Sequence, residues 1–165
     1  MVSSFETKSD LDETDWCILS ALQADGRLSY TELGKQVGLT RPAVAERVRR
    51  LEAMHVITGY RAEIDPTKLG LPILAFIRIG AIGDVFASVA KVVIEIPEVI
   101  ECHRGTGGEC FILKVRAASL SHLEAVIDQL TRFGQVTTSI VLSSVLTQRA
   151  VTQRSCCTRP TRYEQ

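Results

Sequence analysis

The spacing of hydrophobic residues along the chain first changes near Met54. Before that point apolar residues recur at helical intervals, as Val44, Val48 and Leu51 do at i, i+4 and i+7. After it, apolar runs typical of strands are interspersed with further helical stretches. The predicted segments are a helix-turn-helix domain at 1–55, a hinge strand and linker at 56–70, a second domain at 71–147 and a disordered tail at 148–165.

The stretch SYTELGKQVGLTRPAVAERVRRL predicts two short helices around a tight turn. Ser29 and Glu32 fit a capping box, in which each side chain accepts a hydrogen bond from the other residue's amide, so the first helix begins here. Gly38 ends this helix, and Thr40 is placed to cap the next one with its hydroxyl. A preceding helix that Asp12 caps completes a three-helix winged domain of the kind that reads DNA.

Basic residues are concentrated on these two helices, although the whole chain is neutral, with 19 bases and 19 acids. Residues 26–50 carry six Lys or Arg against two acids, whereas residues 1–25 carry one against six. Positive charge concentrated in one region favours a protein that binds specific DNA sites over one that binds nucleic acid nonspecifically through a generally basic surface. The alternative is an arginine-bearing surface helix that does not contact DNA.

The candidate DNA-binding residues share the ends and the outward faces of the two helices. They are Arg27, Ser29, Thr40, Arg41, Pro42, Ala43, Glu46, Arg47, Arg49 and Arg50. Those expected near base edges are Arg41, Pro42, Ala43, Glu46 and Arg47. The others are expected at phosphates.

Beyond Gly70 the predicted elements follow the order βαββαβ. Its strands are predicted at 73–79, 99–104, 110–116 and 136–146, with helical stretches after the first and third. This order predicts an α+β fold, a ferredoxin-like plait whose four-stranded sheet carries both helices on one face. The other face also has apolar residues, Leu74, Phe76 and Ile112, so we expect two copies to stack there as a homodimer.

Composition narrows the classes of protein and of site. No apolar run of 18 residues appears and the N-terminus is acidic and polar, so we expect a cytoplasmic protein without a membrane partner. The spacing of the five cysteines does not fit a zinc site. We therefore predict reduced thiols, no metal and no cofactor. Whether Cys102 and Cys110 face each other across a hairpin or are simply buried stays open. No nucleophile and base are grouped, so no catalytic residue is predicted.

Over about residues 11–146 the chain resembles the Lrp/AsnC (feast/famine) transcription regulators. The stretch LDETDWCILSALQADGRLSYTELGKQVGLT resembles the family's opening, RPAVAERVRRLE its recognition helix and VITGYRAEIDPTKLG its hinge strand. In the second domain, ECHRGTGGECFILKV and VTTSIVLSSV resemble the hairpin and last strand of the family's effector domain.

The resemblance implies a homodimer, frequently assembled into octamers or discs, that binds promoter DNA and responds to an amino acid. The implied effector residues lie on the loop between the second and third strands and on the last strand. They are Thr106, Gly107, Gly108, Glu109, Cys110, Thr137, Thr138 and Ser139. Two positions depart from the pattern: Cys110 stands where many members have an acidic residue, and His55 where members have a glycine as a left-handed helix cap.

Two alternatives to a site-specific regulator share this layout. One is an enzyme resembling the siroheme decarboxylases, for which His103 and Arg104 are conceivable tetrapyrrole-binding residues. The other is an effector-free nucleoid-architectural protein that wraps DNA with little sequence preference.

Overall fold

The computed structural model describes residues 11–81, 86–107 and 110–153. They form two compact units: the first runs up to Ala62 and takes in the chain again from Leu146, and the second is Glu63–Val145. Among the described residues, no helix is both long and apolar enough to cross a membrane.

The first unit is built on the three predicted helices. They are α1 (Glu13–Ala24), α2 (Tyr30–Val37) and α3 (Arg41–Ala53). Each helix contributes to one small core of fully buried side chains, which are Ile18, Leu33, Val44, Val48 and Leu51. The predicted i, i+4, i+7 stripe of α3 is therefore the face that packs against α1 and α2.

Two of the three predicted N-caps are confirmed. Asp12 caps α1 in a capping box with Asp15, and Ser29 caps α2 in one with Glu32. The prediction that the Thr40 hydroxyl caps α3 is wrong, because that hydroxyl makes no hydrogen bond to the helix. A cap hydroxyl bonds the second or third amide of a helix, and proline occupies the second position here, so one of the two donors is missing.

The second unit has the predicted βαββαβ order. Its elements are β1 (Ile73–Ala81), α4 (Phe86–Glu95), β2 (Val99–Arg104), β3 (Phe111–Ala117), α5 (Leu120–Thr131) and β4 (Gly134–Ile140). The strands lie in the order β2-β3-β1-β4 and every neighbouring pair is antiparallel. Alternate residues of β1 and β3 are buried in one cluster with side chains of both α4 and α5, so both helices cover the same face. The α+β plait is confirmed.

The predicted hinge strand is not a strand in the single chain. Residues 58–65 have no strand assignment, and Tyr60 and Ile64 are exposed. A β-strand needs a partner to accept and donate its backbone hydrogen bonds, and the described part of this chain offers none to the segment. The alternation of apolar and polar residues in this segment therefore does not correspond to a strand in the described chain.

The start of the predicted tail is attached to the first unit. The side-chain amide of Gln23 on α1 donates to the Val151 carbonyl at 2.9 Å, and its oxygen accepts from the Val151 amide at 2.8 Å. This differs from the expectation of a disordered segment from residue 148, which rested on the lack of an apolar pattern. The backbone amide and carbonyl of Val151 make the contact, and the hydropathy of a sequence does not predict the hydrogen bonds of backbone groups.

Candidate nucleic-acid interface and effector region

The start of α3 is the exposed end of the helix-turn-helix. Arg41 and Pro42 form its first turn in contact with solvent, and Glu46 and Arg49 lie outward one and two turns later. The Arg49 guanidinium is 3.5 Å from the Glu46 carboxylate, and both side chains are more than two-thirds exposed. Such a pair is weak in water, so the Arg49 guanidinium remains available to an approaching phosphate.

Arg47 and Arg50 lie differently, because both reach back to acids of α1. The Arg47 Nη1 donates to Asp12 Oδ2 at 2.6 Å and to Asp15 Oδ1 at 2.8 Å, and Arg50 Nη2 donates to the other Asp15 oxygen. Asp15 is fully buried, whereas Arg47 and Arg50 are partly exposed. We call these four residues the Asp–Arg cluster.

The charges of the Asp–Arg cluster balance, since two carboxylates face two guanidinium groups. The hydrogen bond from Arg47 lowers the pKa of the Asp12 carboxyl below its ordinary value, and the same contact raises the pKa of Arg47. Both Asp15 oxygens have a cationic partner, so burial of this carboxylate is compensated. Sequence reasoning assigned Asp12 only a capping role and did not single out Asp15, because partners 32 and 35 residues away leave no spacing signal.

The other candidates lie around the turn. Ser29 is exposed, but its hydroxyl already accepts from the Glu32 amide at 3.2 Å and donates to the Glu32 carboxylate at 2.7 Å. Thr40 and Arg27 are exposed, and Ala43 is half-buried on α3. The structure thus brings Thr40, Arg41 and the outer face of α3 together on one surface.

The end of α3 adopts the left-handed cap expected for this position. His55 has φ 54°, its amide donates to Glu52 O at 2.9 Å, and the Val56 amide donates to Leu51 O at 2.9 Å. This double closure is a Schellman motif, in which glycine is the usual left-handed residue. A histidine therefore occupies a conformation that strains an ordinary side chain.

The loop between β2 and β3 is a hairpin closed by the Gly105 amide, which donates to Cys110 O at 2.8 Å. Gly107 has φ 109°, a value that requires glycine. Thr106 is exposed and Cys110 is half-buried, while the predicted effector residues Gly108 and Glu109 lie outside the described residues.

Cys102 and Cys110 do not face each other across the hairpin. The register places Cys102 opposite Leu113, and both thiols are free. Burial raises the pKa of the Cys102 thiol, which disfavours the reactive thiolate. No group of three or more His, Cys, Asp or Glu side chains in the described ranges is placed to hold a metal ion.

The three predicted effector residues of β4 are divided between the faces of the sheet. Thr137 lies opposite Arg78 and Ser139 opposite Phe76, on the face without helices, whereas Thr138 lies opposite the buried Ile77. A ligand on one face therefore meets either Thr138 or its two neighbours, but not all three.

The helix-free face, which we call the open face, mixes apolar and basic residues. Leu74, Phe76 and Ile112 lie there as predicted. Arg78, Lys114 and Arg116 share it, so the expectation of an apolar face is corrected to a face on which each of the three apolar residues lies opposite a basic one. Lys114 is compensated by Glu101, 2.8 Å away on β2, and that contact lowers the pKa of the Glu101 carboxyl.

Two family models match successive parts of the chain. The AsnC-type helix-turn-helix domain matches residues 11–52, and the Lrp/AsnC ligand binding domain matches residues 74–151. The chain is 45% identical over 134 residues to an uncharacterized HTH-type transcriptional regulator, YezC, of Bacillus subtilis (strain 168), covering 81% of this chain and 95% of that protein. It is 42% identical over 116 residues to the leucine-responsive regulatory protein of Escherichia coli (strain K12), covering 68% of this chain and 70% of that one.

Solved structures show the same architecture. The structure of LrpC from Bacillus subtilis superposes with a TM-score of 0.81 at 33% identity, covering 85% of this chain and all of the other. A transcriptional regulator from Neisseria meningitidis, solved as its L-Met complex, superposes with a TM-score of 0.80 at 28% identity, covering 86% of this chain and 96% of the other.

Proposed function

The chain belongs to the Lrp/AsnC family of transcriptional regulators, and from that premise we propose that it binds promoter DNA as a homodimer presenting two copies of α3. The observation that carries the proposal is the exposure of the first turns of α3 in a complete helix-turn-helix. In such domains the N-terminal half of the second helix lies in the major groove. The curated relatives compared above are named as regulators, and they give the enzyme alternative no support.

The contacts we propose follow from which side chains face solvent. Arg41, Pro42, Ala43 and Glu46 approach base edges, since they occupy the first two turns of α3. Arg49, Arg27 and the exposed ends of the turn at Ser29 and Thr40 contact phosphates. Because the chain has no net charge, attraction to DNA depends on these few positions.

We propose that the open face joins two copies. This face carries three apolar side chains, Leu74, Phe76 and Ile112, that a plait domain would otherwise leave against water. Two-fold stacking buries them, and the dimer so formed carries two α3 helices for two half-sites, which lie about 34 Å apart when they are one turn of the double helix apart. Assembly of dimers into octamers, as the family resemblance implies, remains a further part of this proposal.

Selection of bound duplexes from random DNA tests the function. Enrichment of a two-fold symmetric site supports a site-specific regulator, and binding without enrichment would favour the nucleoid-architectural alternative instead. Affinity for the selected duplex should fall steeply with salt, with a slope that counts the phosphate contacts.

Phe76→Lys tests the homodimer. The new lysine lies directly opposite Lys114, which Glu101 already neutralises, so stacking would bury one added, unpaired cation per protomer. We expect light scattering to report a particle of 18.1 kDa, the mass of one chain, and DNA affinity to fall in parallel. Ile94→Lys is the matched control, because Ile94 is 84% exposed on α4, on the other side of the sheet. A dimer that survives Phe76→Lys would rule out the open face.

We also propose an amino acid as effector, bound at the β2–β3 loop. Support comes from the match to a ligand binding domain, from a similar protein solved with L-Met, and from another named leucine-responsive. Thr106, Gly107, Gly108, Glu109 and Cys110 are the proposed loop residues, with Thr137 and Ser139 on the open face or Thr138 on the other. Calorimetry against a panel of amino acids tests this, and no heat across the panel would leave a regulator without an effector of that class.

A further inference from the structure

We infer that the Asp–Arg cluster is a positioning device, and that Arg47 and Arg50 orient α3 without contacting DNA themselves. The inference rests on the proposed DNA-binding function and narrows its contact set. It starts from Asp15, a carboxylate that is 0% exposed on α1 yet bonded to two arginines of α3. A buried carboxylate is stable only while its cationic partners stay in place.

One nitrogen of each guanidinium group is bound to the acids at the start of α1. Arg47 bridges Asp12 and Asp15 through a single nitrogen, at 2.6 and 2.8 Å, and Arg50 bonds the remaining Asp15 oxygen. If a phosphate drew either arginine away, the buried carboxylate would lose a partner that water cannot replace. Charge-assisted contacts of this kind are short and directional, so they fix the rotation of α3 about its own axis.

Charge balance leads to the same conclusion. Two acids already neutralise Arg47 and Arg50, so the cluster as a whole adds no net attraction for phosphate. The cations on α3 outside the cluster are Arg41 and Arg49, and both point into solvent. Rotating α3 by a fraction of a turn would move Arg41 and Glu46 away from the bases they face, although no DNA contact had been removed.

The salt dependence of binding separates a positioning residue from a phosphate contact. Each phosphate contact contributes roughly 0.9 to the slope of log affinity against log salt. We expect Arg47→Gln and Asp15→Asn each to weaken binding to the selected duplex about tenfold, the cost of one misplaced base contact, with the slope unchanged. The matched control Arg49→Gln removes an exposed arginine from the same helix and should lower the slope.

Two further readouts exclude a purely structural role. The double variant Asp15→Asn with Arg47→Gln should bind no more weakly than either single variant, because both changes break the same contact. Arg47→Lys, which keeps a charge at this position, should recover part of the affinity. All measurements are made on the full chain at a temperature where circular dichroism shows it folded. Arg50→Gln replaces Asp15→Asn if the latter does not fold, since Asp15 then keeps Arg47.

The possible results are distinct. A lower slope for Arg47→Gln, with normal binding by Asp15→Asn, would make Arg47 a phosphate ligand and overturn the inference. If the folded variants bind DNA like the wild type, the cluster contributes to stability alone, and this result would also overturn the inference. Failure of the wild-type chain to bind any selected duplex would instead refute the DNA-binding function itself.

Discussion

Replacing His55 by glycine should stabilise the first unit. His55 is the left-handed residue of the Schellman motif that ends α3, with φ 54°. A left-handed conformation costs an L-residue roughly 1–2 kcal/mol, which glycine does not pay. Glycine also lowers the free energy of unfolding by about 0.4–1 kcal/mol, because an unfolded chain with glycine has more conformational entropy to lose on folding. The net gain we expect is about 0.5–1 kcal/mol.

The neighbouring helix provides a control of opposite sign. Gly38 ends α2 in the same left-handed region, at φ 71°, and a Cβ added there would meet no atom within 4 Å. Gly38→Ala should therefore destabilise the unit by about 1 kcal/mol through backbone strain alone. A second control is Met54→Gly at φ −78°, where glycine brings no relief and should destabilise the helix end.

Urea unfolding followed by circular dichroism measures these changes. We expect the midpoint to rise for His55→Gly and to fall for both controls, with the slope of free energy against urea unchanged. In a unit of this size, 1 kcal/mol corresponds to roughly 4–8 °C in melting temperature. A lower midpoint for His55→Gly would show that the imidazole stabilises the helix end by more than the strain destabilises it, and would refute the expected gain.

Three other changes test different contacts of the same unit. Gly34→Ala would place a Cβ 2.5 Å from the Leu39 carbonyl oxygen, so the helix turn must open; we expect a loss of about 1–3 kcal/mol in urea unfolding and weaker DNA binding. The pKa of Glu32 is lowered by its capping-box hydrogen bonds, so its contribution to stability is present above pH 4.5 and lost as pH falls through the lowered value. Stability curves of wild type and Glu32→Gln should therefore converge in acid, and a constant difference at every pH would contradict this cause. Gln23→Ala removes both hydrogen bonds to Val151 and should speed tryptic cleavage of the segment 146–153, whereas unchanged cleavage would show that the contact does not hold it.

The element types were predictable because each depends on local pattern. The stripe of Val44, Val48 and Leu51 follows from helical periodicity, and all three are buried. The capping box of Ser29 and Glu32 follows from residue spacing, and so does the cap at Asp12, although Asp15 was not predicted as its partner. The order βαββαβ likewise determined the plait, because few topologies join such elements without crossing connections.

The site was predictable only as a surface. The sequence located the arginines on α3, but it gave no means to separate Arg49, which faces solvent, from Arg47, which faces Asp15. It placed Thr137 and Thr138 in one pocket, although the pleat puts them on opposite faces. Whether a side chain is free depends on what packs beside it, and spacing along the chain does not carry that information.

The sequence by itself determined that this protein has a helix-turn-helix followed by an α+β plait, since periodicity and capping chemistry act over a few residues. Only the tertiary structure decided which arginines of α3 remain free of acidic partners on another helix and exposed to solvent. The partners of Arg47 and Arg50 lie 32 to 35 residues away on another helix. Contacts at that separation form because buried carboxylates must be neutralised wherever folding brings a cation within reach.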